Sequence, residues 1–371
     1  MTALALRRAA RALSAAFPSQ ERAPRAFSVF ELWPPALFYI PVALYWAGLA
    51  LRFRSPTLPT AANPGIEAGG LCGESKRSIL DQLGPLGRAC VARYASIEAG
   101  IPGPRAAALA DGAIAAAGLR YPLVAKPDIS CKGTGVRVVR SEAELGAYLQ
   151  EFPAGARLIL QELIEFEGEA GIFYVRRPGE AEGRIVSVTL KYFPRVVGDG
   201  RSTLRELILA DPRAARLAHL YLARHPGERV LAKGETLRLV FVGNHCKGAI
   251  FRDGRHIVTP AMERVFDAIA REIPEFHFGR LDLRFRSLGE LQRGEGFRLI
   301  EVNGAGSEAT HIWDRKTRLV EAYRTLFEHL RLLFEIGDAN RRRGFRPLPI
   351  LALLGSFRRQ QRLMRRYPRG D

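Results

Sequence analysis

The chain has 371 residues, of which 47% are hydrophobic and 25% charged, and it carries a formal net charge of +18. This length and balance exclude a disordered chain and allow two or three domains. The basic excess points to nucleic acid, anionic lipid or a phosphate-rich ligand without choosing among them.

Only seven of the 56 basic residues are lysine, at positions 76, 126, 132, 191, 233, 247 and 316, so a position that keeps lysine draws notice. Cysteines 72, 90, 131 and 246 form no CxxC pair and no Cys/His cluster, which argues against a zinc site and for a reduced, cytoplasmic setting.

Residues 1–30 scatter five arginines among alanine and leucine, with no continuous apolar stretch, so a cleaved signal peptide is not expected. The run LWPPALFYIPVALYWAGLAL, 32–51, has no charge and is about the length of a membrane-crossing helix. Pro41 falls inside it, its aromatic residues form no two belts, and arginines flank both ends. A monotopic anchor on the inner face of a membrane is the preferred reading, ahead of a true span and of a hairpin buried in the core. The stretch SPTLPTAANPGIEAGGLCGESK reads as a linker or ordered loop, and 76–99 as a helix stopped by Gly100 and the prolines beyond it. The expected division is therefore 1–75 as a basic, apolar N-terminal segment, 76–335 as the chemical domain and 336–371 as a basic tail suited to an anionic membrane surface. A specific nucleic-acid binder would show interleaved aromatics and a known motif, and neither is present.

From residue 121 the texture turns to short β-rich runs. YPLVAKP is a strand ending in Lys126, and SCKGTGVRVV is a glycine-bearing turn whose backbone N–H groups, with Lys132, Gly133 and Gly135, suit phosphate oxygens. ARLILQELIEFEGEAGIFYV gives two strands around a polar break bracketed by Glu162 and Glu169, and Lys191 closes the β-run that follows. GRLDLRFRSLGELQRGEGFRLIEVN reads as a hairpin. Alternation puts Arg280 with Asp282 on one face and Glu301 with Asn303 on one face, and an antiparallel return makes those faces coincide. Two carboxylates and an amide oxygen suit magnesium, which commonly takes one or two carboxylates plus substrate phosphates; an uncompensated carboxylate pair would also repel without a cation. The histidines at 245, 256, 277 and 311 show neither a paired nucleophile nor ligand spacing, and His311 is the first to test.

Taken in order, these pieces resemble the ATP-grasp superfamily over roughly residues 76–335, and are similar to D-alanine:D-alanine ligases. The matching run is Lys126-Pro127, the glycine loop to Gly135, acids seven apart at 162 and 169, Lys191-Tyr192, Arg280-x-Asp282 and Glu301-x-Asn303. VVGDGRSTLRELI is similar to cyanophycin-synthetase-like peptide ligases. The resemblance implies an α+β fold of two lobes clasping ATP, preceded here by a helical, apolar segment. It implies that Lys126 and Lys191 contact phosphates, Glu162 the adenine and Glu169 the ribose, with Leu163 and Glu165 meeting the adenine edge through their backbone. It implies two magnesium ions, replaceable by manganese, on Asp282, Glu301 and Asn303. The implied reaction joins a small-molecule carboxylate to an amine through an acylphosphate, with Lys191 and Arg280 catalytic. A small-molecule kinase and a membrane-tethered nucleotide-binding module without turnover are the alternatives.

The sequence departs from the family at Arg93, which stands where a phosphate-side lysine is expected, and at Cys131 and Lys132 in place of small hydroxyl residues. It also departs at NGAGSEATHIWD after Glu301, and in 1–75, which lacks the alternating strands and helices of a front domain. The identity of the two substrates and the oligomeric state are not legible.

Overall fold

In the computed structural model, residues 27–100, 104–368 and 370 are described. The arginine-bearing stretch 1–26, and with it the signal-peptide question, lies outside them, as does Pro102. Helix α1 (Pro35–Arg52) is followed by a coil that ends in α2 (Lys76–Asp81) and α3 (Pro85–Cys90). Next come β1 (Tyr94–Glu98), α4 (Pro104–Ala116), β2 (Leu123–Pro127), β3 (Arg137–Val139), α5 (Glu142–Gln150) and β4 (Arg157–Glu162). The chain continues through β5 (Gly168–Val175), β6 (Arg184–Tyr192), β7 (Arg195–Val197), α6 (Leu204–Ala210), α7 (Ala218–Leu222), β8 (Thr236–Arg238) and β9 (Ile250–Asp253). It ends in α8 (Pro260–Glu272), β10 (Phe278–Phe285), α9 (Leu288–Gln292), β11 (Phe297–Asn303), α10 (Leu319–Arg342) and α11 (Ile350–Met364).

Two antiparallel sheets define two lobes, so the α+β class and the apolar helix ahead of it are as expected. The small lobe has strand order β1-β4-β2-β3, and the large lobe β11-β10-β5-β6-β9. Ile97, Leu123, Leu145, Leu149, Leu158 and Leu160 fill the small-lobe core beneath α4 and α5.

In the large sheet, Ile172, Tyr174, Val188, Leu281 and Leu283 point to one face and bury against Met262, Phe266 and Ile269 of α8. The other face is divided. Phe173, Val175 and Phe278 meet Leu332, Leu333 and Ile336 of α10, whereas Glu169, Lys191, Asp282 and Arg284 occupy the remaining half, beneath the small lobe. Strand periodicity makes this possible, because residues two apart share a face and one face can change from apolar to charged along its length.

Residues 76–99 are not one helix. Gly84 is extended (φ −78°, ψ −167°) ahead of Pro85, and a residue before proline is steered away from the helical region. The chain restarts as α3 and then pairs as β1 with β4, Tyr94 opposite Gln161.

The stretch 55–76 is an ordered loop with a packing role. Buried Asn63 donates to the carbonyls of Gly69 and Phe278 and accepts from the backbone N–H groups of His277 and Phe278. Residues 69–70 lie against the end of β11: Ala305 N–H donates to Gly69 O at 3.0 Å and Gly306 N–H to Gly70 O at 2.7 Å. A Cβ at Gly304 would sit 2.6 Å from Gly69 O, so this close approach requires glycine. The glycines that follow the Glu301/Asn303 strand are the seat for this loop.

Helix α10 runs without a break through residue 335, where the sequence suggested the tail begins. Helix α11 folds back: Gln360 accepts from Gly73 N–H, and Tyr367 enters the small-lobe core and donates to Ile129 O. Helix α1 lies on α10 through aromatic contacts, Tyr45 with Phe327 (centroids 4.5 Å apart) and Trp46 with Phe334 (5.3 Å). Its opposite side leaves Leu37, Ile40, Leu44 and Leu51 exposed.

Candidate functional site

The cavity between the lobes, about 1080 Å³, is floored by the charged half of the large sheet and walled by the small lobe. Register sets the floor. Arg280 on β10 faces Asn303 on β11, and Asp282 faces Glu301. All four side chains line the cavity, as the alternation predicted. The ladder then slips by one residue, since Leu283 pairs with Leu299 and Ile300 has no partner. Bulges of this kind release a backbone group from the ladder. Here the Ile300 carbonyl accepts a 2.7 Å hydrogen bond from Lys126 Nζ, which reaches across from β2 and also donates to Gln161 at 2.8 Å. Burial, only partly offset by Glu301, pulls the Lys126 ammonium down to about 8.

The floor is a saturated ion network. Asp282 accepts from Lys191 Nζ (2.8 Å), from Arg280 Nε (3.1 Å to each oxygen) and Nη2 (2.9 Å), and from Asn303 Nδ2 (3.0 Å). Burial opposes its charge, but Arg280 and Lys191 outweigh burial and hold the carboxyl well below the usual range. Burial likewise opposes the Lys191 ammonium, and Asp282 with Glu169 more than compensates, so its pKa is raised. A Cβ at Gly171 would sit 2.9 Å from Arg280 Cδ and 3.0 Å from Asp282 Oδ1, so glycine there lets the pair lie flat across β5.

The structure supplies the cations that the sequence argument assigned to a metal. Asp282 has Lys191 and Arg280, and Glu301 has Lys76 at 3.5 Å. Repulsion between Asp282 and Glu301 therefore does not by itself demand a metal, and the earlier inference from repulsion is withdrawn. Among the described residues no group of three His, Cys, Asp or Glu side chains could hold a metal unaided.

The other expected residues divide. Lys132, Gly133, Glu162 and Glu169 line the cavity. Lys132 (φ +56°), Gly133 (+69°) and Gly135 (+66°) bend the β2–β3 loop through left-handed conformations, a geometry that exposes backbone N–H groups. Gly135 itself packs on Pro127 and Tyr367 and does not line the cavity. Glu169 has both oxygens engaged, by Lys191 at 3.2 Å and by Arg284 at 3.2 Å, which ties it to the floor. Leu163 and Glu165, in the crossing between lobes, do not line the cavity, whereas their neighbours Glu162 and Ile164 do.

Arg93 is not brought to the cavity. Leading into β1, it borders a separate shallow pocket with Asp81 and Arg88, donates to Gly118 O and pairs with Glu162 at 3.2 Å. Those hydrogen bonds lower the pKa of Glu162. His311 is buried with Nδ1 2.6 Å from Ser187 Oγ, and burial pulls its pKa down to about 4, which makes it a neutral packing residue. Asp199 of the GDGRST stretch accepts from the N–H groups of Arg201 and Ser202 and shapes the turn into α6, which Thr203 and Glu206 cap reciprocally.

Sequence reasoning missed several charged residues at the cavity, Lys76, Arg284 and Glu74 among them. Lys76, at the start of α2, donates to Ser130 O beside Glu301. Arg284 braces Glu169. Glu74 lines the cavity with a buried Oε2 that has no hydrogen-bond partner, and burial raises its pKa. A buried orphan of this kind is expected where a ligand or ion completes the shell. The rarity of lysine was the one available signal for Lys76. Nothing marked Glu74.

No family model and no curated protein matches the sequence. Among solved structures, the fold is similar to the D-alanine-D-alanine ligase from Coxiella burnetii (11% identity, 80% of this chain and 64% of that one, TM-score 0.40). It is similar to the D-alanine–D-alanine ligase from Bacillus anthracis (10% identity, 75% and 72%, TM-score 0.39). It is also similar to a bifunctional glutathione synthetase from Pasteurella multocida (16% identity, 68% of this chain, TM-score 0.35), of whose length the match spans 36%. The likenesses in shape are modest, and the chemistry of the site rests on its own residues.

Proposed function

We propose that the chain is an ATP-dependent ligase of the ATP-grasp kind, joining a carboxylate to an amine. One observation carries this reading: cations from both lobes, Lys126 from the small and Lys191 from the large, converge with Lys76 on the same cavity as Asp282, Glu301 and Asn303. Lysines held at fixed points in a cleft between lobes suit the terminal phosphates of a nucleotide, and phosphoryl transfer is helped chiefly by such positioning and charge neutralisation. Asp282, Glu301 and Asn303 supply oxygen donors suited to magnesium, with the nucleotide phosphates completing its shell, and magnesium would offset the phosphate charge. The orphan oxygen of Glu74 beside Lys76 and Glu301 fits the arrival of such a charged group.

In the first step a carboxylate oxygen of the substrate bonds to the γ-phosphorus and ADP leaves. In the second, an amine nitrogen attacks the acyl carbon, the phosphate leaves with the C–O electron pair, and the nitrogen loses a proton. Arg280, fixed by Asp282 and by its Nη1 bond to Glu308 O at 2.8 Å, stands beside the floor where the oxyanion of that second step develops. The test is incubation with ATP, magnesium and a pooled library of amino acids and small peptides, following ADP and new masses. An amide product with ADP supports the reading, a phosphoester identifies a kinase, and nucleotide binding without ADP release leaves only a binding module. Arg280→Met should keep nucleotide binding and lose turnover.

Attachment to an anionic membrane surface belongs to the same reading. Support comes from the uncharged exposed stripe Leu37, Ile40, Leu44 and Leu51 on α1, and from Leu351, Leu354 and Phe357 exposed on α11 ahead of Arg358, Arg359 and Arg362. The protein should float with anionic vesicles and remain behind with neutral ones. Equal recovery with both would remove the electrostatic part of the claim.

A further inference from the structure

Beside Arg280 the cavity continues into a chamber that the reaction scheme leaves without an occupant. Its floor is Glu308, in the coil that follows β11, and its walls are aromatic. Tyr39 from α1 donates to Glu308 Oε2 at 2.6 Å, and Trp313 Nε1 donates to Oε1 at 2.9 Å. Phe38 packs tilted against Trp313 with ring centroids 4.9 Å apart, and all four residues line the cavity.

The two donors fix the carboxylate in orientation but are neutral, so they leave its charge in place. The nearby arginine gives it only a longer-range attraction: Arg280 closes its Nε/Nη2 edge on Asp282, gives Nη1 to the backbone carbonyl of Glu308, and makes no salt bridge to the carboxylate. Among the described residues Glu308 has no ion-pair partner, in contrast to Asp282, Glu169 and Glu301 on the same floor. A half-buried, oriented carboxylate with no ion-pair partner among the described residues is suited to an organic cation, because the carboxylate supplies the charge at hydrogen-bond range.

We infer that Glu308, with Tyr39 and Trp313, binds a cationic amine of a substrate next to the reacting centre. The inference rests on the ligase reading for the role of that amine, as the ammonium of the carboxylate substrate or of the incoming nucleophile. The contribution of Tyr39 also gives α1 a place in the substrate site, apart from any contact with lipid.

The experiment uses the full chain with a nonhydrolysable ATP analogue and a pool of amino acids, their amides and simple diamines, each beside its N-acetyl counterpart, read by saturation-transfer NMR. The wild type should bind amine-bearing members and ignore the acetylated ones. Glu308→Gln should weaken that binding about tenfold or more, and Glu308→Asp should retain part of it. Nucleotide affinity should stay within about twofold in both, which shows that the fold is intact. Amides and diamines that compete place the nucleophile in the chamber, whereas competition by free amino acids alone places the carboxylate substrate there. Equal binding of acetylated members, unchanged binding by Glu308→Gln, or no binding of any member overturns the inference. The ligase reading is scored separately by ADP release in a parallel mixture that holds ATP and magnesium in place of the analogue: amine binding that depends on Glu308 without ADP release fails the ligase and keeps the subsite, and the reverse fails the subsite alone.

Discussion

The two walls of the cavity are built on opposite terms. On the large-lobe floor, Glu169, Lys191, Asp282, Arg280 and Arg284 are each tied to at least one oppositely charged neighbour and are mostly buried. On the small-lobe side, the β2–β3 loop is tied at its ends, by Lys76 to Ser130 O and by Tyr148 to Gly135 O, while its tip has an exposed Lys132, backbone in left-handed conformations, and a long contact from Lys247 Nζ to Gly133 O at 3.4 Å. The floor is fixed by paired charges, and the loop tip is held by fewer and longer contacts. Damage to the floor should therefore show in stability and chemistry together, and damage to the loop in ligand affinity alone.

The largest effect expected is at Asp282. Replacing it with Ala leaves Lys191 and Arg280 without their shared carboxylate, and stripping one partner from a buried charge pair costs about 3–5 kcal/mol. Urea unfolding should show that loss, together with loss of turnover. A stable Asp282→Ala protein would mean that the floor is not held together by its charges.

Next is Lys126, which joins the two walls. Its ammonium titrates at about 8 in the folded protein, below its ordinary value of 10.5. The sign follows directly: the charged form that attracts phosphate prevails below about pH 8, so nucleotide affinity should fall as the pH rises through 8, with proton uptake on binding near that pH. In the same way, the unfolded chain holds more protons between about 8 and 10.5, so the Lys126 contribution to stability rises with pH across that window. Calorimetry in buffers of different ionisation heat reads the proton uptake. Affinity that is flat from pH 7 to 9.5 would remove Lys126 from the phosphate site.

The smallest effect belongs to the loop. Lys132→Ala should leave stability within about 0.5 kcal/mol, as for exposed sites in general, while weakening nucleotide binding a fewfold. A melting shift as large as that at Asp282 would erase the distinction between the walls.

The floor was legible because strand alternation is a strong local rule. With Arg280 and Asp282 two apart, and Glu301 and Asn303 two apart, an antiparallel return leaves few registers, and the observed one pairs 280 with 303 and 282 with 301. The bulge at Ile300 was not legible, since no residue type marks it, yet it provides the carbonyl that Lys126 holds. Lys76 and Glu74 stayed hidden for another reason. They belong to a coil and a short helix whose position against β11 is set by the backbone contacts of residues 69–70, which no periodicity encodes. The expected helix over 76–99 failed because Gly84-Pro85 ends it early and the chain that follows runs to the sheet edge. The apolar run 32–51 contains both of its uses, aromatic residues that dock on α10 and aliphatic ones left exposed, and its composition does not separate them.

The central claim is that nucleotide phosphates bind between the two walls, and calorimetric titration with a nonhydrolysable ATP analogue, with and without magnesium, tests it most directly. The account predicts one nucleotide per chain, tighter with magnesium than without, and weakened about tenfold to a hundredfold by Lys126→Met in a protein that still unfolds cooperatively. A folded protein that binds no nucleotide, or that binds it equally well without the Lys126 ammonium, would contradict the account.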